Sequence, residues 1–321
     1  MPVAYLPSPA SAVWHLGAIP VRAYALCMVL GVVAGLWLTD RRYRRSSGRR
    51  GVILDVATVA VPVGLVGARA YSVLSNLHLY LGPGRDWTDV FRVWDGGMGV
   101  AGAVAAGAVA AVLYCRRIGV EIGPVALAAA PALALAQAIS VWGNWFSQEL
   151  YGHPSSLPWA VAIAPQHRVS GFQAAATFQP LFLYESLLDL LIAVAVSYAI
   201  RRYALAGDRA FALYGALWAA SAGTIETLRI DYSARIAGMR TNLIGMLVIF
   251  VIACGYLALM RRRRLRRAPV TDAAPARFGL RSSRARSGQD AADELGLPAL
   301  EAPEPAAGPQ PAAGPQLVPG E

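Results

Sequence analysis

Lysine is missing from this chain altogether. Its 29 basic residues are all arginine, against 19 acidic residues, which leaves a formal charge of +10. Cysteine is scarce as well: Cys27, Cys115 and Cys254 each lie in or at the end of an apolar run, a pattern with neither a disulfide framework nor metal-ligand spacing. No metal site and no cofactor is expected. A basic leader is also lacking, because Met1 to Gly17 carries no positive n-region of the kind that opens a signal peptide. The first apolar run is therefore expected to be retained. Charged residues make up only 15% of the chain while hydrophobic ones reach 56%, so long polar stretches able to cover a large water-soluble domain are few.

What is present is a series of apolar runs. They cover Ile19–Leu38, Val52–Leu74, Met98–Leu113, Pro124–Trp142, Pro180–Ile200, Phe211–Ile225 and Leu243–Met260. About 20 such residues cross a bilayer as a helix, and the two short runs call for tilt, thinning or a re-entrant path. The expected fold is all-α: a polytopic membrane protein of seven transmembrane helices over residues 1–267.

The arginines are distributed to match. Arg41, Arg42, Arg44, Arg45, Arg49 and Arg50 follow the first run, Arg116 and Arg117 the third, Arg201, Arg202 and Arg209 the fifth, and Arg261–Arg264, Arg266 and Arg267 the seventh. Basic residues collect on the cytoplasmic side, so the N-terminus is expected outside and the C-terminus in the cytoplasm. Clusters set directly against helix ends meet anionic lipid headgroups rather than nucleic acid. Residues 268–321, rich in Pro, Ala, Gly and Ser, bury too little apolar surface to offset their ordering entropy and are expected to form a disordered cytoplasmic tail.

Polar residues inside or beside the runs are the candidates for function. The segment Ala136–Gly152 begins as an apolar helix and turns polar and aromatic at Gly143-Asn144, with Trp145, Gln148, Glu149 and Tyr151 following. An interfacial helix end also has this composition. Arg22 and Tyr24 stand at the outer start of the first run, as anchors or as functional groups. Arg69, within the second run, is costly unless paired or facing water, although snorkelling is open to it. Gly96, Gly97, Gly99, Gly102 and Gly107 suit close helix approach, or an anion at a helix start. Glu185 and Asp189 share one helix face. Glu149, Glu185, Glu226, Arg69, Arg229 and Arg240 all fall at outer ends of different runs, which points to one cavity opening outward.

The succession Ile19-Pro-Val-Arg-Ala-Tyr24, Gly67-Ala-Arg-Ala-Tyr71, Trp94-Asp-Gly-Gly97, Ala136-Gln-Ala-Ile139, Trp142-Gly-Asn-Trp-Phe146, Gln148-Glu-Leu-Tyr-Gly152, Leu183-Tyr-Glu185 and Glu226 with Leu228-Arg-Ile-Asp231 resembles the prolipoprotein diacylglyceryl transferases of bacteria. The match is collinear from about Val3 to Arg267. The resemblance implies transfer of a diacylglyceryl group from phosphatidylglycerol to the lipobox cysteine thiol of a prolipoprotein, at the outer face of the bacterial plasma membrane, with glycerol phosphate leaving. It implies phosphatidylglycerol, other anionic phospholipid and prolipoprotein signal peptides as partners. Catalytic roles then fall to Asn144, Glu149, Glu226 and Arg240, and substrate contacts to Tyr24, Arg69, Gly96, Gly97, Gly143, Tyr184, Glu185 and Arg229.

The chain departs from the family pattern at informative places. The family's Gly-Arg before Gly-Asn is Ser140-Val141 here, and a second family arginine, four residues before Glu226, is Ala222. Ser147 replaces an asparagine, Gln179-Pro180-Leu181 replaces a His-Pro-Thr/Ser triplet, and Ala101 stands where some members carry histidine. Each lost oxyanion donor is worth roughly 2.7–4 kcal/mol in comparable sites. The alternative is therefore a catalytically silent member that keeps the lipid-shaped cavity and binds phospholipid or a lipoprotein precursor.

Overall fold

Apolar backbone satisfies its own N–H and C=O groups in lipid by coiling into helices, and the long runs of Ala, Val and Leu do so here. The computed structural model describes residues 5–16, 19–47, 49–75, 77, 87–91, 100–233 and 235–267, all within the unit Met1–Ala268. The expected disordered tail lies outside the described residues. Seven long helices are present among them: α1 (Ala23–Ser47), α2 (Val52–Ser75), α3 (Val100–Arg117), α4 (Ile122–Ser140), α6 (Leu181–Tyr203), α7 (Gly207–Leu228) and α8 (Thr241–Arg267). The short helix α5 (Gly143–Ser147) follows α4 after a break at Val141-Trp142. Five segments are long and apolar enough to cross a membrane: 23–46, 52–74, 122–147, 181–203 and 241–262. The protein is thus a polytopic, helical membrane protein.

The first helix starts four residues later than the apolar run. Ile19–Arg22 forms β2 instead, antiparallel to β1 (Val13–Leu16), with Val13 opposite Arg22 and Leu16 opposite Ile19. Pro20 accounts for the difference, since the residue before a proline is driven out of the α region, and the β-branched residues around it favour an extended strand.

Helix α4 sits at the centre of the bundle and packs against α1, α6 and α7, while α2 pairs with α3 and α8 lies on α7. Small residues set these distances. A Cβ on Gly35 would stand 2.9 Å from the Ala136 Cβ, and one on Gly31 would strike Ser140 and Ala136 of the same helix. Gly64 and Gly67 meet Gly102, Ala103 and Ala106 in the same way, so the close approach expected of Gly102 is present. Without water to drive association, such backbone-to-backbone packing is what holds transmembrane helices together.

Three apolar clusters stack along the molecule. Tyr43, Val52, Ile53, Cys115 and Val120 form one at the arginine-rich end, and Ala130, Ala134, Ile192, Val196 and Tyr214 one at mid-height. The third, Val141, Tyr151, Val161, Ile163, Phe178 and Phe182, underlies a small cap. In that cap β3 (Val161–Ala162) pairs antiparallel with β4 (Thr177–Phe178), Leu6 adds to β3 in parallel, and Pro154 bridges Phe178. Through Leu6 the N-terminal segment is therefore paired to the cap.

Candidate functional site

The last turn of α7 carries the densest polar cluster. Glu226 is 4% exposed. Its Oε1 accepts the Arg240 Nε–H at 2.7 Å and the Asn242 amide at 3.3 Å, and its Oε2 accepts Arg229 at 3.1 Å. Asp231 closes the network, taking Arg229 Nε at 3.0 Å and Arg240 at 3.2 Å on one oxygen. Arg240 also donates to the carbonyls of Arg229 and Asp231. Two guanidinium groups face two carboxylates, so the cluster is charge-balanced, and four of the five N–H groups of Arg240 are spent on protein oxygens.

A tight turn delivers Arg240. β5 (Arg235–Ile236) pairs with β6 (Met239–Arg240), leaving Ala237-Gly238 as the two turn residues, with φ of 52° and 81°. Positive φ at both positions is the primed hairpin geometry that suits the strand twist. Alanine adopts it at a cost.

The second group of candidates gathers around the start of α1. The Tyr24 ring packs so close to Gly143 that a Cβ there would lie 2.6 Å from Tyr24 Cδ2. Glu149 and Glu185 both lie within electrostatic reach of the Tyr24 phenol. Glu185 in turn feels Arg229 and Glu226, and an isolated backbone bridge joins Gly152 to Arg229. Tyr24, Gly143, Glu149, Glu185, Glu226, Arg229 and Arg240 are thus brought together as one region at the same end of the bundle.

Glu149 itself is exposed, and its backbone is held in an unusual way. Gln148 and Leu150 on either side have φ of 55° and 58°, both left-handed. Non-glycine residues hold that conformation only where surrounding contacts impose it. Gln148 is pinned from both sides: its Nε2 donates to Pro9 O at 3.2 Å and its Oε1 accepts the Ala164 N–H at 2.8 Å. Tyr151, just beyond, donates to His167 O at 2.6 Å and accepts the Val169 N–H at 2.8 Å. Burial pushes the Tyr151 phenol above its usual pKa range, a shift opposed by the Val169 hydrogen bond and by Arg168.

The remaining candidates have other partners. Arg69 is buried on α2 and donates its Nε–H to Val90 O at 2.7 Å, which holds it at the loop leading to α3. Tyr184 accepts the Trp159 indole N–H at 2.9 Å on the outer surface. Asn144 is buried in α5 directly after Gly143. Gly96 and Gly97 lie outside the described residues.

Val141 caps α4 and is 8% exposed within the apolar cluster under the cap. Ala222 stands one turn before Glu226 on α7. Beside Val141, the Trp142 indole donates to Ser186 Oγ at 3.1 Å, and Ser186 donates to Ala138 O. Trp142 and Ser186 help line an apolar groove of about 320 Å³ between α1, α4 and α6, with Cys27, Leu30, Ala138 and Leu190. The sequence gives no signal for Asn242 as a site residue, because it acts through a bond to Glu226 that local spacing does not display.

A sequence model of the family described as prolipoprotein diacylglyceryl transferase matches residues 11–260. The chain is 44% identical over 281 residues to the phosphatidylglycerol–prolipoprotein diacylglyceryl transferase of Streptomyces griseus, covering 86% of this chain and 85% of that protein. It is 45% identical over 274 residues to transferase 1 of Streptomyces coelicolor, covering 85% and 78% of the two chains. Transferase 2 of the same organism is 44% identical over 263 residues, 82% of this chain and 83% of its own.

Proposed function

The chain belongs to the prolipoprotein diacylglyceryl transferase family, and we propose that it moves a diacylglyceryl group from phosphatidylglycerol to the lipobox cysteine thiol of a prolipoprotein. In this reading it is a seven-span protein of the bacterial plasma membrane, N-terminus outside and C-terminal tail in the cytoplasm, with its site on the extracytoplasmic side. The positions of the arginine clusters support that orientation. The observation that carries the reading is the joining of Glu226, Arg229 and Arg240 to the Glu149 loop through the Gly152–Arg229 bridge.

The transfer breaks the thiol S–H bond and the glyceryl C–O bond to phosphate and forms one S–C bond. Glycerol phosphate leaves with the C–O electron pair, and the thiol proton passes to a base. Charge builds on the departing phosphate, so fixed cations at that point lower the barrier. Arg240 and Arg69 are assigned to the phosphate, with Glu226 and Glu185 positioning the cations. Asn144 and Glu149 organise the pocket wall, and Tyr24 and Tyr184 line the path of lipid or peptide. The apolar groove under Trp142 suits an acyl chain entering sideways from the bilayer.

A second reading, a silent member that binds phospholipid or precursor, is favoured by Val141. The family's cation position is filled here by a valine packed among Tyr151, Phe178 and Phe182, and the remaining arginines of α7 and β6 are balanced by Glu226 and Asp231. Complementation decides between the two. A strain depleted of its own enzyme and expressing this chain grows under the first reading, and a lipobox peptide gains the thioether-linked diacylglyceryl mass. Failure of the unaltered chain, with growth restored by Val141→Arg plus Ala222→Arg, establishes the second.

A further inference from the structure

The arginines at the far ends of α1 and α6 fall into two sets. Arg41 lies over the Trp37 ring at 5.3 Å, Arg44 pairs with Asp40 at 2.8 Å, and Arg202 lies over Tyr203 at 5.5 Å. Arg42, Arg45 and Arg201 have no acidic or aromatic partner among the described residues, and Arg42 links the other two. Arg42 is within electrostatic reach of Arg45, one turn on along α1, and of Arg201 at the end of α6; both charges acting on it are positive. The Arg42 Nε–H is moreover buried with no hydrogen-bond acceptor.

Cations in a last helical turn complement the negative end of the helix dipole. That accounts for the sign of these residues on each helix separately. It does not account for arginines of two helices acting on Arg42 beside its unsatisfied buried donor, an arrangement that costs free energy until something negative enters. A guanidinium presents its N–H groups as a planar fork that matches the oxygens of phosphate. Helices α1 and α6 both pack against α4, and Arg201 acts on Arg42 from α6, so a phosphate at Arg42 would be met by cations from both helices. The spot is roughly 27 Å along α1 from Tyr24, at 1.5 Å per residue, and is therefore separate from the transfer site.

We propose that Arg42, Arg45 and Arg201 form a phosphate-binding site at the arginine-rich end of the bundle, occupied by the phosphate of an anionic lipid headgroup or by free phosphate. The site is independent of whether the chain is an active transferase. Purified full-length protein in detergent is titrated with short-chain phosphatidate, short-chain phosphatidylcholine and inorganic phosphate, and bound molecules are counted by native mass spectrometry. In Arg42→Gln with Arg201→Gln, one class of bound phosphatidate weakens about fivefold for each arginine removed. Arg44→Gln with Arg202→Gln leaves it unchanged. Competition by inorganic phosphate at equal concentration identifies the ligand as free phosphate; binding of phosphatidate alone identifies a headgroup. Unchanged binding in the first pair, or an equal loss in the second, overturns the proposal. Should the first pair fail to fold, wild-type protein is labelled with phosphatidate carrying a headgroup diazirine. Cross-links to the peptides containing Arg42 and Arg201 support the site, and cross-links elsewhere only refute it.

Discussion

Gly152 and Arg229 pair backbone to backbone as an isolated antiparallel bridge, so the loop that presents Glu149 and the end of α7 that presents Glu226 are fastened together. The bridge needs a residue without a side chain at its first position. A Cβ on Gly152 would lie 2.9 Å from Gln179 Oε1 and 3.0 Å from Gln179 Cβ. The ion network beside it is the element most sensitive to loss of a single charge.

Glu226→Gln leaves Arg229 and Arg240 facing one remaining carboxylate in a buried setting. Removing one partner of such a group costs about 3–5 kcal/mol. Thermal unfolding in detergent should show a large drop in midpoint for Glu226→Gln and almost none for Glu121→Gln, which is exposed at the start of α4. Equal midpoints for the two variants would show that the network contributes no net stability.

Ala237→Gly should stabilise the protein. The residue sits at φ 52° in the turn that presents Arg240, and a left-handed residue with a Cβ costs about 1–2 kcal/mol. Glycine removes that strain but gains freedom in the unfolded chain, so the net expectation is a gain of about 0.5–1 kcal/mol, read as a higher unfolding midpoint with transfer activity retained.

Tyr151→Phe strands two half-buried backbone groups, the His167 carbonyl and the Val169 N–H. The expected loss is about 2 kcal/mol, with cleavage of the 150–180 loop by protease accelerated. The pH dependence has a definite sign. Because burial raises the folded-state pKa of this phenol, its contribution is complete below the unfolded value of about 10 and declines as pH rises beyond it. Wild-type and Tyr151→Phe stabilities should therefore converge in strong alkali.

Gly143→Ala drives a methyl group to within 2.6 Å of Tyr24 Cδ2 and 3.1 Å of Tyr24 Cα. Backbone on one side and a ring on the other leave little room for relief, and overpacking of this kind costs about 1–3 kcal/mol. Because Tyr24 adjoins both Glu149 and Glu185, phospholipid binding should weaken well beyond what the change in unfolding midpoint accounts for. Intact binding with a displaced midpoint would remove Tyr24 from the site.

The helices were legible in the sequence because an apolar run of sufficient length has one low-energy form in lipid. Their ends were legible within a few residues, and the exception, Ile19–Arg22, followed from strand pairing with Val13–Leu16. The convergence of Glu226, Arg229 and Arg240 was readable from depth alone. Which partners they choose was not, since Asp231 holds both arginines only after the β5–β6 turn folds back. The grip on Gln148 was hidden for another reason: it bonds to main-chain atoms at Pro9 and Ala164, which leave no side-chain signature.

The parallel pairing of Leu6 with Val161 carries a consequence for biosynthesis. The ribosome makes Leu6 before any of its partners exist, and α1 through α4 are synthesised before β3 emerges. Until then Leu6 N–H and C=O, which end on Ala160 and Ala162, have only water to bond. The cap therefore closes late, after the four helices between its strands have been made. A tag fused ahead of Tyr5 would sit on that closing seam, whereas one at the C-terminus would not.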